Sequence, residues 1–529
     1  MPNASTLDFI MAVAPIVILI YLMVKKNSWP SYLALPFAAL LVYGVTLIYF
    51  ETDPNLINAT VISGLLTAFT PIFIIWGAIL LFKTMEHTGA MNTVRAWLNN
   101  ISPNPVAQLM IIGWAFAFLI EGASGFGTPA ALAAPILIGL GFAAVPVACL
   151  ALVMNSVPVT FGAVGTPTWF GLGQLNLPPE QLLDIGLKSA IIHSTAALVI
   201  PVIALSFVVK WSEIRANIVF VYLSILSCVV PYLAVAFFNY EFPSLLGGMI
   251  GLVVSAFLAH KNIGLVPVEG AIERPEIKGL VKALFPIWGT VLVLILTRIP
   301  QLGLKGMLNE TTPLFTASLG SLGDFALTNA LIIQLTNIFG TTASWQFATL
   351  YIPAFIPFFL VSGISFLLFR ASAGTAWAAW SETYGRMIRP IQALLAALVM
   401  VGLMRAGGAD SLVVVIGQYF ASGFGTSWTY VASYLGAIGA FFSGSNTVSN
   451  LIFAGIQQSI AESAGLNVNL ILALQSVGGA MGNMVCINNV VAVCSILGIL
   501  NVEGHIITRT VIPMLIYGVI AGIVAIFLA

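Results

Sequence analysis

The sequence predicts an all-α polytopic membrane protein, with about 12–14 transmembrane helices, inverted repeats, re-entrant hairpins and broken helices. Three observations carry this. Of 529 residues, 60% are hydrophobic and only 7% charged, where a soluble domain carries about 25% charged. Uncharged runs at 60–82, 216–238, 348–369 and 511–529 reach the ~17–25 residues of a spanning helix, and the alternating segments of a β-barrel are missing. Two polar stretches interrupt apolar sequence: Glu121-Gly122-Ala123-Ser124-Gly125-Phe126-Gly127-Thr128-Pro129 and Ser443-Gly444-Ser445-Asn446-Thr447-Val448-Ser449-Asn450. Backbone too rich in Gly and Ser to stay helical survives at membrane depth only when buried in protein or lining a polar cavity.

In order, a helix at 9–24 is preceded by Asp8 and followed by Lys25-Lys26. A cleavable signal would have the basic residues first, and the positive-inside rule places this N-terminus outside. A second helix at 31–50 completes an N-terminal hairpin, 1–59. The first repeat half, 60–260, starts with a helix at 60–82 ending at Lys83, placed in the cytoplasm. Next come an interfacial helix at 91–100, a turn at Ser102-Pro103-Asn104-Pro105, and a helix at 106–120 leading into the first polar stretch. A re-entrant hairpin near 121–143 follows, with Pro129 at a first helical position. The segment 145–154 stops at Asn155-Ser156-Val157-Pro158, and 161–167 is a further break. Helices at 187–209, 216–238 and 245–259 precede the most hydrophilic segment, 261–282, a cytoplasmic linker.

The second half, 283–529, starts with a helix at 284–297. The region 299–344 gives no clear pattern. Helices are expected at 348–369, 391–404, 412–420 and 431–442, then a re-entrant hairpin near 443–464, a break at 475–489 and a last helix at 511–529.

A shift of 319 positions lays Ser124, Gly125 and Thr128 over Ser443, Gly444 and Thr447, and a shift of 320 lays Asn155-Ser156 over Gln475-Ser476. Such order and spacing is an internal repeat, with the second copy starting at about 380. The helix at 60–82 runs inward to Lys83, and its counterpart at 391–404 runs outward from Arg386 and Arg389. Opposite directions mean an inverted repeat, whose broken helices meet at one midplane site.

The segments 118–129 and 155–167, with Gly478-Gly479-Ala480-Met481-Gly482-Asn483, resemble the bacterial L-lactate permease family over nearly the whole chain. The resemblance implies proton-coupled import of L-lactate, D-lactate and glycolate across the bacterial inner membrane. It also implies the two-hairpin architecture of the ion transporter superfamily. In sodium-coupled members of that superfamily both tips read Ser-Asn-Thr. Here only Ser445-Asn446-Thr447 does, so their sodium sites do not carry over directly. A sodium-coupled carboxylate carrier is the alternative.

The substrate-binding candidates are Ser124, Gly125, Gly127, Thr128, Asn155, Ser156, Ser443, Gly444, Ser445, Asn446, Thr447, Gln475 and Ser476. Helix N-termini offer unpaired N–H groups and partial positive charge to a carboxylate, and hydroxyls and amides suit a 2-hydroxy group. The bland alternative is helix packing through small residues. Glu121 and His193 are the proton-coupling candidates. Desolvation penalises a charged Glu121, and intramembrane acids are functional by default. A structural tie to hairpin amides, or for His193 an interhelical hydrogen bond, is the competing role. Arg298 and Arg370 read as topology anchors, and Arg405 stays open. The four cysteines read as small buried hydrophobes.

A channel would show a continuous polar stripe, and an enzyme a cluster of nucleophile or metal-ligand residues. An ATP-driven pump would show the Gly-x4-Gly-Lys-Ser/Thr loop, which is absent. No cofactor, metal or nucleic acid is expected. The partners are substrate, proton and bilayer, and a homodimer is compatible with this.

Overall fold

The computed structural model describes residues 5–25, 29–125, 127–268, 277–298, 300–353, 355–499 and 501–529. Lys26, Phe126 and the centre of the expected linker, with Glu269, Glu273, Arg274 and Glu276, lie outside them. Among the described residues nine helical stretches are long and apolar enough to cross a membrane, or ten if the pair Ala144–Met154 and Pro158–Leu175, bent by 59°, is one span. Shorter apolar helices, Thr128–Gly139, Phe285–Arg298 and Ile356–Leu368, accompany them. The chain divides into two units, each drawn from both halves of the sequence: Met1–Ala90 with Leu284–Gly423, and Met91–Ala283 with Phe424–Ala529.

In the first unit, the helix expected at 60–82 is two, Pro54–Thr67 and Phe69–His87. Pro71 lacks the N–H that would close the turn between them. Their partner is one helix of 33 residues, Ala373–Arg405, about 50 Å long. It starts well before the expected 391, so Arg386, Arg389 and Pro390 lie within it. The charges of this added stretch are paired. Glu382 takes Lys83 at 2.6 Å, His87 at 3.1 Å and Arg386 at 3.0 Å, and Lys83 also pairs with Glu86. Lys83 is therefore an internal pairing residue, and its helix runs on to His87. Small residues let the backbones close: a Cβ on Gly64 would fall 2.8 Å from Val399 Cα, and one on Gly402 2.9 Å from Thr60.

The unparsed region is an antiparallel meander of four strands, β1 (Pro313–Ser318), β2 (Asp324–Thr328), β3 (Ile332–Thr336) and β4 (Trp345–Ala348). Because β4 ends at Ala348, the next helix begins at Ile356, not at 348.

The second unit repeats one order of parts. Pro105–Ala123, π-helical over Leu109–Phe116, turns through the first polar stretch into Thr128–Gly139. Ala144–Met154 follows and breaks at Asn155. In the second copy, Trp428–Ser443 turns into Asn446–Ala464, and Val468–Gly482 breaks at Asn483. The breaks therefore pair Asn155 with Asn483, not with Gln475. The second descending helix has 19 residues against 12 in the first, which shifts the register. Gln475 and Ser476 lie inside a continuous helix as a result. The segment expected as one helix at 187–209 is Pro179–Ala197 followed by Ile200–Leu205. The amphipathic Ala90–Asn99 buries Met91, Val94 and Leu98 on one side, and all four cysteines are buried thiols.

Candidate functional site

Each polar tip exists because its residues end one helix and start another. At the first, Gly125 and Gly127 take φ of 60° and 77°, a left-handed turn that only glycine enters without strain. Gly127 caps a helix whose second residue is Pro129. At the second, Gly444 ends the ascending helix with φ 75°. The hydroxyl of Ser445 then accepts from Val448 N at 3.4 Å, an N-cap. Asn446 and Thr447 are thus first-turn residues of a helix.

Both tips and both breaks meet at one small cavity, walled by Glu121, Gly125, Gly127, Asn155, Gly162, Gly444, Ser445, Asn446, Thr447, Asn483 and Asn489, with Val159, Ala163 and Pro167. Two helix N-termini, at Thr128 and Asn446, start beside this space with several amides, and a helix N-terminus attracts an anion.

Glu121 is 3% exposed. Its Oε2 accepts from Asn155 Nδ2 at 3.0 Å. Its Oε1 sits over the bare Cα of Gly162, where an added Cβ would come within 2.2 Å. Two amide oxygens in the wall, Asn155 Oδ1 and Asn446 Oδ1, are buried without a hydrogen-bond partner. Asn446 Oδ1 rests against Gly479, where a Cβ would come within 2.0 Å.

Behind the wall runs a buried polar chain. His193 Nε2 lies 2.7 Å from Thr160 Oγ1, and its Nδ1 2.5 Å from Tyr517 OH. Thr160 Oγ1 stands 3.3 Å from Ser476 Oγ. Asn450 Nδ2 donates to Ser476 Oγ at 3.2 Å and to Pro167 O at 2.9 Å. Gln475 Nε2 donates to Ser449 Oγ at 3.0 Å, and Gln475 Oε1 accepts from Gln457 Nε2 at 3.0 Å. His193, Gln475 and Ser476 therefore lie one layer behind the cavity. Ser124, Ser156 and Ser443 also stay out of the wall. Their hydroxyls donate back to the carbonyls of Ile120, Val153 and Gly439. Thr128 opens its helix without lining the cavity. Arg298, Arg370 and Arg405 do not line it either; Arg298 donates to Tyr351 O at 2.9 Å.

The residues that sequence reasoning missed are Asn483, Asn489, Gly162 and Thr160. Each lay in a stretch that the sequence marked, Thr160 and Gly162 in the 155–167 segment and Asn483 and Asn489 in the expected break at 475–489, but none was named as a site residue. The segment 163–165 is more unusual. Ala163, Val164 and Gly165 all take left-handed conformations, with φ 45°, 55° and 72°. Val at positive φ is strained. Side-chain donors hold the turn: Thr166 Oγ1 to Ala163 O at 2.5 Å and Trp169 Nε1 to Val164 O at 3.1 Å.

The sequence profile of the L-lactate permeases matches residues 8–529. A Haemophilus influenzae protein that carries an L-lactate permease name is 56% identical over 524 residues, covering 99% of this chain and 98% of its own. The glycolate permease GlcA of Escherichia coli K12 is 24% identical over 485 residues, covering 86% of this chain and 84% of its own. Among solved structures, the Alcanivorax borkumensis YdaH transporter aligns over 94% of this chain and 98% of its own, at 15% identity and a TM-score of 0.47. With a profile match over all but its first residues and a relative more than half identical, this chain belongs to the L-lactate permease family, as a multi-pass permease of the bacterial inner membrane and not an enzyme.

Proposed function

We propose that the chain imports lactate and related 2-hydroxy monocarboxylates, glycolate among them, each together with a proton. The observation that carries this is the convergence of two hairpin tips and two helix breaks on one small cavity with a single buried acid, Glu121, in its wall. The helix N-termini suit the substrate carboxylate, and the amides of Asn446, Asn155 and Asn483 suit its hydroxyl. The substrate class is that of the names its relatives carry.

The proton follows from charge. An anion entering alone moves against the membrane potential at about 2.3 kcal/mol per 100 mV, and a proton beside it makes the step electroneutral. Glu121 holds that proton because it is the one acid at the cavity among the described residues. A bound carboxylate nearby raises its proton affinity, so substrate and proton assist each other's binding.

The test is uptake of labelled lactate into proteoliposomes under separately imposed proton and sodium gradients. The expected result is accumulation under an inward proton gradient and none under sodium alone. Sodium-driven accumulation would replace this reading with the sodium-coupled one. Glu121→Gln is expected to abolish proton-driven accumulation while lactate–lactate exchange persists. A variant that still concentrates lactate would transfer the coupling role to His193.

A further inference from the structure

We propose that Asn155 is the switch that couples the proton on Glu121 to the substrate carboxylate, its side-chain amide turning over as the acid gains or loses its proton. The inference rests on the proton-coupled reading above.

Asn155 stands at the helix break, in the cavity wall, and is 9% exposed. Its two amide ends have different surroundings. Nδ2 donates to Glu121 Oε2 at 3.0 Å. Oδ1 is buried and has no partner. An ionised carboxylate only accepts, so a charged Glu121 draws the NH2 end of the amide toward itself. The carbonyl oxygen is then the unanswered end, buried within a residue that lines the cavity. An unanswered carbonyl dipole there repels a carboxylate, so this arrangement disfavours substrate.

A proton added to Glu121 from water reverses the logic. The neutral carboxyl group gains an O–H and now donates. Its natural acceptor is Asn155 Oδ1. The terminal torsion of asparagine is broad and nearly two-fold, so a half-turn exchanges the amide ends without a new backbone or rotamer. Nδ2 then occupies the position of Oδ1 and offers its N–H groups to a substrate carboxylate. The proton stays on Glu121 until substrate departs, and no other bond forms or breaks.

The surroundings leave Glu121 as the titrating partner. Its helix segment, Ala117–Ala123, packs against Leu109–Phe116, Thr128–Gly139, Pro158–Phe161, Gly162–Trp169 and Pro243–His260. The titratable side chain on those elements is His260, at the far end of its helix. Glu241 precedes that helix, and its backbone lies against Gly165. His193 connects to this region through Thr160. The rigid frame favours a turnover of the amide over a movement of the helix. A Cβ on Gly122 would come 2.4 Å from Leu245 N, and one on Gly248 2.3 Å from Leu119 N.

Counterflow of labelled lactate in proteoliposomes, with equal pH inside and out, reads apparent affinity free of any gradient. Wild-type affinity should fall as pH rises. Asn155→Ala should weaken affinity roughly tenfold to hundredfold at acid pH, the worth of a hydrogen bond to a charged group, and far less at alkaline pH. Glu121→Gln presents a permanent donor to Oδ1 and should carry the acid-form affinity through to alkaline pH. The same loss in Asn155→Ala at every pH would reduce Asn155 to a structural role and overturn the switch. So would a Glu121→Gln protein that keeps the wild-type slope, and this near-isosteric change answers even if Asn155→Ala fails to assemble. A wild-type protein with no lactate counterflow at any pH would instead remove the substrate reading, and the switch with it.

Discussion

The two tips share an order of parts and differ in chemistry. The first is nearly bare: Gly125 and Gly127 line the cavity, and the polar side chain beside them is the carboxyl of Glu121, one turn back on the ascending helix. The second presents its own side chains, Ser445, Asn446 and Thr447, and holds no acid. The first also stands on a strained left-handed turn, while the second stands on the Asn450–Ser476 hydrogen bonds. The cavity thus has a buried carboxyl on one side and hydrogen-bonding side chains on the other.

Changes on the two sides should therefore fail differently. Gly162→Ala is expected to be the most severe, because its Cβ would meet the Glu121 carboxyl at 2.2 Å. Misplacing a reacting group by about 1 Å costs about a hundredfold, so proton-driven uptake should fall by at least that factor while purified protein still elutes as a single folded species. Normal accumulation in this variant would break the assignment of charge to the first side. Asn446→Ala should come next, with lactate affinity reduced roughly tenfold to hundredfold at every pH and proton-driven accumulation retained at saturating substrate. Ser124→Ala should be mildest. Its hydroxyl bonds Ile120 O and not the cavity, so affinity should hold while thermal stability drops by about 0.5–1.5 kcal/mol. A large affinity loss would bring Ser124 into the wall.

What the sequence made legible was whatever violates the rule of the bilayer. Glu121, the glycines of the tips and Ser445-Asn446-Thr447 stand out because polar residues at membrane depth demand a reason. Asn483 and Asn489 lay inside the expected break at 475–489, but register pointed to its other end. The second descending helix is seven residues longer than the first (19 against 12), so sequence matching paired Asn155 with Gln475 and moved the break. Gly162 fell within the expected break at 161–167, but its contact with a carboxyl 41 positions away in the chain could not be read there. The meander escaped because no strand alternates: β1 has five of six residues exposed, and β2 and β3 are half-buried on both faces. No alternation of polar and apolar residues then marks a strand.

The interleaving of the two units has a consequence in time. Glu121 meets Asn155 only 34 residues on, so the acid side closes early in synthesis. Asn446 follows Glu121 by 325 residues. At about 5–20 residues per second, that is roughly 15–65 s during which a polar hairpin with a buried acid waits in the membrane for its other wall. A ribosome stalled after residue 300 would leave that half-site without its second wall.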